Sequence, residues 1–178
     1  NKNGSVISRN KDTGDFGQKY PFSNSDITTS SVCYDNGKIY FMTGKISLIV
    51  ADFDSASGKF SNLKSIDCSS YGANSKGTPV VYNGIVYVGV GNWRGGKILA
   101  INPTKEENEI IWNKDITAYP DCSILLSNAY KNDGFIYLYT TYSNKNPEGI
   151  DVIKVKEDGT SPESYNLFGN EEKYGGYC

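Results

Sequence analysis

The chain contains no histidine. That absence excludes His-based triads, imidazole metal sites and the usual proton shuttle near neutral pH. Arginine is scarce: Arg9 and Arg94 are the only two, and the other basic residues are lysine. The four cysteines, Cys33, Cys68, Cys122 and Cys178, are widely spaced. None forms a C-x-x-C pair, which argues against zinc. No apolar run reaches the ~18 residues of a membrane span. No stretch repeats apolar residues at i, i+3, i+4 and i+7 for long, so helices are not expected. The net charge is −2, with both signs mixed along the chain. That leaves no basic footprint for nucleic acid or a membrane surface. There is no initiator methionine or signal peptide, so the chain reads as a piece of something longer.

What is present is β-sheet chemistry. In "GTPVVYNGIVYVGV", residues 77–90, Asn83-Gly84 divides two β-branched and aromatic runs. Asn-Gly is the preferred pair for a two-residue type I′ turn, since both positions need positive φ. The turn predicts the pairs Tyr82–Ile85, Val81–Val86 and Val80–Tyr87. Val80, Tyr82, Ile85 and Tyr87 then share one face, and Val81, Val86 and Val88 the other. Both faces are apolar, which predicts cover on both sides.

The pattern recurs. Asn36-Gly37 stands between 32–35 and 38–42, and Asp133-Gly134 between 128–132 and 135–139. The turn glycines Gly37, Gly84 and Gly134 follow one another at intervals of 47 and 50 residues. Each turn precedes an Ile/Val-Tyr core: "KIYF", "IVYV", "FIYL". Behind each hairpin lies a second strand–turn–strand: "SLIVADFDSASGKF", "GKILAINPTKEENEIIW" and "GIDVIKVKEDGTSPESY". A further copy of that second half, "GSVISRNKDTGDF", opens the chain at 4–16. The unit is four strands, a to d, at the period of β-propeller blades.

The expected fold is therefore all-β: a β-propeller of four-stranded antiparallel blades, three complete blades plus a half blade, within a larger ring. The 178 residues read as one domain, with a half blade at 1–25, blades at 26–68, 69–117 and 118–170, and a tail at 171–178. Closure as a four-bladed ring would need that tail to supply a strand. Unpaired edges would otherwise invite aggregation.

The best copy, "TPVVYNGIVYVG … GKILAINPTKEENEIIW" at 78–112, resembles the pyrroloquinoline-quinone-like repeat of eight-bladed quinoprotein propellers. The resemblance spans nearly the whole chain in degenerate copies. It implies the propeller fold. Quinone-binding members hold the cofactor between a tryptophan and a disulfide of adjacent cysteines, with calcium. This chain has no adjacent cysteines, so no cofactor is expected. "GKIYFMTG … VADFDSASGKFSNL" also resembles a kelch unit, but Thr43-Gly44 and Val90-Gly91 stand where that family carries Gly-Gly after strand b.

Antiparallel order puts turns a–b and c–d at one end and connections b–c and d–a at the other. The second set is expected to be long and variable, near 43–47, 89–96 and 140–148, and near 21–30, 67–78 and 117–127. Variable loops on a regular scaffold are where binding usually resides. Trp93 and Arg94 in "GVGNWRGG" are the leading candidates, being residue types enriched at hot spots. The competing reading packs Trp93 over a neighbouring blade and leaves Arg94 solvated. Tyr71, Tyr119, Asp121 and Tyr142 fall in the same loops. "GVGNWRGG" is not a phosphate loop, since no helix follows. "DFDSASG" at 52–58 loosely resembles a calcium loop but sits where a c–d turn belongs. Glu106-Glu107 and Glu171-Glu172 read as solvated surface, and no metal site is expected. Cys33 reads as a small core residue. Cys68 and Cys122 lie in links between blades, where a disulfide would form if the links touch.

The functional expectation is a non-catalytic scaffold on a bacterial surface or envelope. It would be extracellular and bind protein or glycan through its long-loop face. The alternatives are a degenerate fragment of a quinoprotein dehydrogenase and a kelch-like interaction module. Expected partners are such a ligand and further blades of the same protein, with no nucleic acid and no membrane span.

Overall fold

The computed structural model describes residues 5–20, 29–92, 95–117, 123–142 and 149–167. Among these the chain is all-β, with fourteen strands. A two-stranded antiparallel pair, β1 (Ile7–Arg9) and β2 (Phe16–Lys19), comes first. Three four-stranded sheets follow, each antiparallel and in chain order. The first is β3 (Cys33–Asp35), β4 (Lys38–Met42), β5 (Ser47–Asp54) and β6 (Lys59–Asp67). The second is β7 (Val80–Tyr82), β8 (Ile85–Asn92), β9 (Gly95–Ile101) and β10 (Ile110–Ile116). The third is β11 (Leu125–Ser127), β12 (Phe135–Tyr142), β13 (Gly149–Lys156) and β14 (Glu163–Leu167). Among the described residues two single 3₁₀ turns interrupt them, at Ser69–Tyr71 and Lys131–Asp133.

The first two hairpins turn as the sequence dictates. Asn36 and Gly37 have φ of 44° and 77°, and Asn83 and Gly84 have 48° and 76°. The register pairs Tyr82 with Ile85, Val81 with Val86 and Val80 with Tyr87.

The third hairpin differs. Its first strand is Leu125–Ser127, not 128–132, and its connection runs through the 3₁₀ turn Lys131–Asp133. Only Gly134 is left-handed there, with φ 82°. The segment "NAYKN" has no alternating apolar residues to pair, so the strand retreats to Leu125-Leu126.

The sheets stack face to face in chain order, and side-chain parity assigns each strand residue to one junction. Val6 and Tyr20 meet Ile39, Phe41, Ile49 and Ala51 in the first junction. Tyr40, Met42, Leu48 and Val50 meet Val86, Val88, Val90, Leu99 and Ile101 in the second. Ile85, Tyr87, Ile98 and Ala100 meet Ile136, Leu138, Ile153 and Val155 in the third. The doubly apolar hairpin 80–88 is thus covered on both faces.

The registers place the three motif tyrosines in corresponding rows. One row of the first sheet is Cys33–Tyr40–Val50–Lys64. The same row of the second is Val80–Tyr87–Ala100–Trp112. In the third it is Ser127–Tyr137–Lys154–Glu163. Tyr40 and Tyr87 thus each face the sheet that follows, and Tyr137 lies on the face of the third sheet opposite Ile136 and Leu138.

The c–d turns also share a device. Each opens on an Asn or Asp whose carboxamide or carboxylate oxygen accepts backbone N–H groups of the turn. Asn10 accepts from Asp12 and Thr13, Asp54 from Ala56, Asn102 from Thr104 and Asp158 from Thr160. These are Asx turns, which is why the turns are rich in Asp, Asn, Ser and Thr.

Candidate functional site

The b–c connections 43–46, 93–94 and 143–148 are no longer than the c–d connections 55–58, 102–109 and 157–162, whereas the d–a links 20–32 and 68–79 are longer than either. "GVGNWRGG" is mostly strand: Val90 pairs with Lys97, Gly91 with Gly96 and Asn92 with Gly95. Val88 and Val90 are both buried toward the first sheet. Their alternation carries β8 through the glycines and leaves 93–94 as a two-residue connection.

Trp93, Arg94, Tyr119 and Asp121 lie outside the described residues. Tyr142 closes β12, paired with Gly149. Tyr71 ends the 3₁₀ turn after Cys68 and packs, half-buried, against the core between the first two sheets.

The link that carries Tyr71 is fastened down. Asn74 and Gly91 exchange backbone hydrogen bonds, and the Ser75 hydroxyl donates to the Gly89 carbonyl at 2.6 Å. A Cβ on Gly72 would stand 2.5 Å from the Gly91 nitrogen, so only glycine fits. Cys68 is free and fully buried. Burial pushes its thiol up to about 12. Its expected disulfide partner, Cys122, lies outside the described residues. Asp151 is buried at the same end, and its carboxylate accepts from the Thr117 N–H and hydroxyl, each at 2.7 Å. Sequence reading missed that contact, because nothing in "GID" marks the acid as buried.

The turn end carries the described concavities. The larger, about 630 Å³, lies between the β1–β2 turn and the c–d turn of the first sheet. Phe16 and Phe53 stand in its walls with Arg9, Lys11, Asp12 and Asp15. Its two sides are tied together. The buried Ser8 hydroxyl reaches the Gly58 carbonyl, and the Phe60 N–H donates to the Gln18 carboxamide at 2.6 Å. A shallower depression of about 440 Å³ lies beside Asn83, Gly134 and 156–158.

The carboxylates of this end act as acceptors. The Ser57 hydroxyl and the Ala56 N–H hold Asp54 below the usual carboxylate range. The Thr160 hydroxyl and N–H do the same for Asp158. In "DFDSASG", Asp52 is engaged by Lys38 and Asn62, and Asp54 caps the turn, so the segment is an Asx turn. Among the described residues no three His, Cys, Asp or Glu side chains converge on a metal position. Among them, too, no helix is long and apolar enough to cross a membrane. No family model and no curated protein matches this chain.

Proposed function

We propose that the chain belongs to a β-propeller, each four-stranded sheet a blade, serving as a non-catalytic binding scaffold. The observation that carries this reading is the repeated row Cys33–Tyr40–Val50–Lys64, Val80–Tyr87–Ala100–Trp112 and Ser127–Tyr137–Lys154–Glu163. Sheets that repeat residue by residue and bury both faces are what radial blade packing requires.

The same row argues for a further blade. Tyr40 and Tyr87 are buried by the sheet that follows, whereas Tyr137 is half-buried. The adjacent row, Leu125–Tyr139–Val152–Tyr165, exposes Leu125 and Tyr165. Among the described residues no core cluster forms on this face. Its occupant in this reading is another four-stranded sheet of the same repeat. β1 supports the same reading from the other side: among the described residues it pairs only with β2, whereas β5, β9 and β13 each have two neighbours.

The ligand in this reading is protein or glycan at a bacterial surface or envelope, held by the end that carries Tyr71 and Tyr142 and, outside the described residues, Trp93, Arg94, Tyr119 and Asp121. Light scattering on a sizing column, with circular dichroism on the same sample, tests the scaffold. A self-associating chain that becomes monomeric when Leu125 and Tyr165 are both changed to serine supports the open face. A cooperative monomer indifferent to that pair overturns it.

A further inference from the structure

Each of the three junctions between sheets is tied across by side chains, and the tie at the first leaves a groove beside it. Between the first and second sheets, the Lys64 ammonium reaches into the next c–d turn. It donates to the Pro103 carbonyl at 3.1 Å and pairs with Glu109 at 3.0 Å. Between the second and third sheets, the indole of Trp112 does the same with the Gly159 carbonyl at 2.7 Å. Between β1–β2 and the first sheet, the equivalent residue is Gln18, which is tied down to Phe60. Beside it stand Gly17 and Gly58, with no side chains to fill the space. A Cβ on Gly17 would come within 2.5 Å of the Ser8 hydroxyl, so the cross-tie itself demands the glycine. What remains is the groove of about 630 Å³, within the ~300–1,000 Å³ typical of small-ligand sites.

The lining selects a ligand class. Phe16 is 59 % exposed, the most exposed phenylalanine among the described residues, and Phe53 stands half-buried across the groove. An aromatic face held in the open favours a ligand with a flat patch of C–H groups. The charges cancel: Arg9 and Lys11 face Asp12 and Asp15. A free anion or cation gains little from such a rim. Donors and acceptors are both on offer. Arg9 gives one guanidinium nitrogen to the Gly14 carbonyl, and Asp15 uses one oxygen for the Thr13 hydroxyl. The remaining guanidinium N–H groups and the second Asp15 oxygen stay available.

We infer that this groove binds a neutral saccharide, with one ring stacked on Phe16 and its hydroxyls shared between Arg9 and Asp15. The inference rests on the scaffold reading for its ligand class, but it places the site at the turn end, opposite the loops.

The test uses the whole chain and four neutral probes: maltotriose, cellotriose, mannotriose and chitotriose. Amide shifts and saturation transfer are followed by NMR. Binding of at least one probe is expected, with shifts confined to 9–17 and 53–58. Phe16→Ala and Asp15→Asn each weaken it about tenfold or more, roughly 1.4 kcal/mol, while Phe16→Tyr keeps it. Shifts confined to the loop end, or affinity unchanged in both weakening variants, overturn the groove and leave glycan binding by the loops standing. Silence from all four probes overturns the groove as well. A loop-end response to a protein ligand would then still sustain the scaffold reading.

Discussion

The indole Nε1 of Trp112 donates to the carbonyl oxygen of Gly159 across the junction of the second and third sheets, 2.7 Å away. The ring also lies over Tyr87, centroids 6.0 Å apart. Trp112 thus works twice, as packing and as a donor. Trp112→Phe keeps most of the packing and should cost about 1 kcal/mol for the lost hydrogen bond. Trp112→Ala removes both and should cost about 3–5 kcal/mol. Urea unfolding followed by circular dichroism checks the pair; equal losses would mean that the packing carries no weight, and an unchanged Trp112→Phe that the hydrogen bond carries none.

That junction shows where sequence reading reached and where it stopped. The hairpins at Asn36-Gly37 and Asn83-Gly84 were legible, because a two-residue I′ turn leaves a dipeptide signal and fixes register on both sides. The second half of each unit was legible through its Asx turn. The all-β class followed from period-2 alternation. The junction contacts were not legible. Gln18, Lys64 and Trp112 hold equivalent places but share neither size nor charge, so no residue pattern repeats. The binding face was drawn from loop length, and β8 then proved to run through the glycines of "GVGNWRGG". The groove at Phe16 depends on Gly17 and Gly58 approaching from different sheets, which no local pattern encodes.

The third hairpin gives a test of turn chemistry at two superficially equal positions. Asn83 is left-handed with φ 48°, whereas Asp133 ends a 3₁₀ turn and only Gly134 is left-handed. Asn83→Ala should therefore cost about 1 kcal/mol for forcing an ordinary side chain into the left-handed region. Asp133→Ala should be neutral within about 0.5 kcal/mol. Thermal melts of the two variants decide it. Equal destabilisation would mean that the third hairpin turns at Asp133-Gly134 after all.

Acid should loosen the c–d turns. Hydrogen bonds from Lys38 and Asn62 hold Asp52 below its ordinary value, and Ser57 and Thr160 do so for Asp54 and Asp158. A carboxylate with a lowered folded-state pKa adds stability that is complete above its unfolded value, near 3.9. That stability is lost as pH falls through the lower folded value. The melting temperature should therefore hold steady from neutrality down to about pH 5 and drop below about pH 4. Asp52→Asn should flatten the drop. An unchanged acid profile in that variant would remove the Lys38–Asp52 pair from the account.

Cys68 makes the last case. It has no exposed surface and sits with Met42, Leu48 and Val90 in the core between the first two sheets. Burial holds the thiol in its neutral form, and the thiolate is the species that reacts. With its pKa pushed up to about 12, Cys68 should stay unlabelled by a thiol reagent at pH 8 while the protein is folded. The comparison is with Cys68→Ser. Native labelling should be the same in both proteins, and labelling in denaturant should fall by one thiol in the variant. The variant should also melt earlier, since a hydroxyl in that apolar setting costs about 1–3 kcal/mol. A native protein that labels one thiol more than Cys68→Ser would mean that the junction opens readily, and the first two sheets would then have to be treated as separable units.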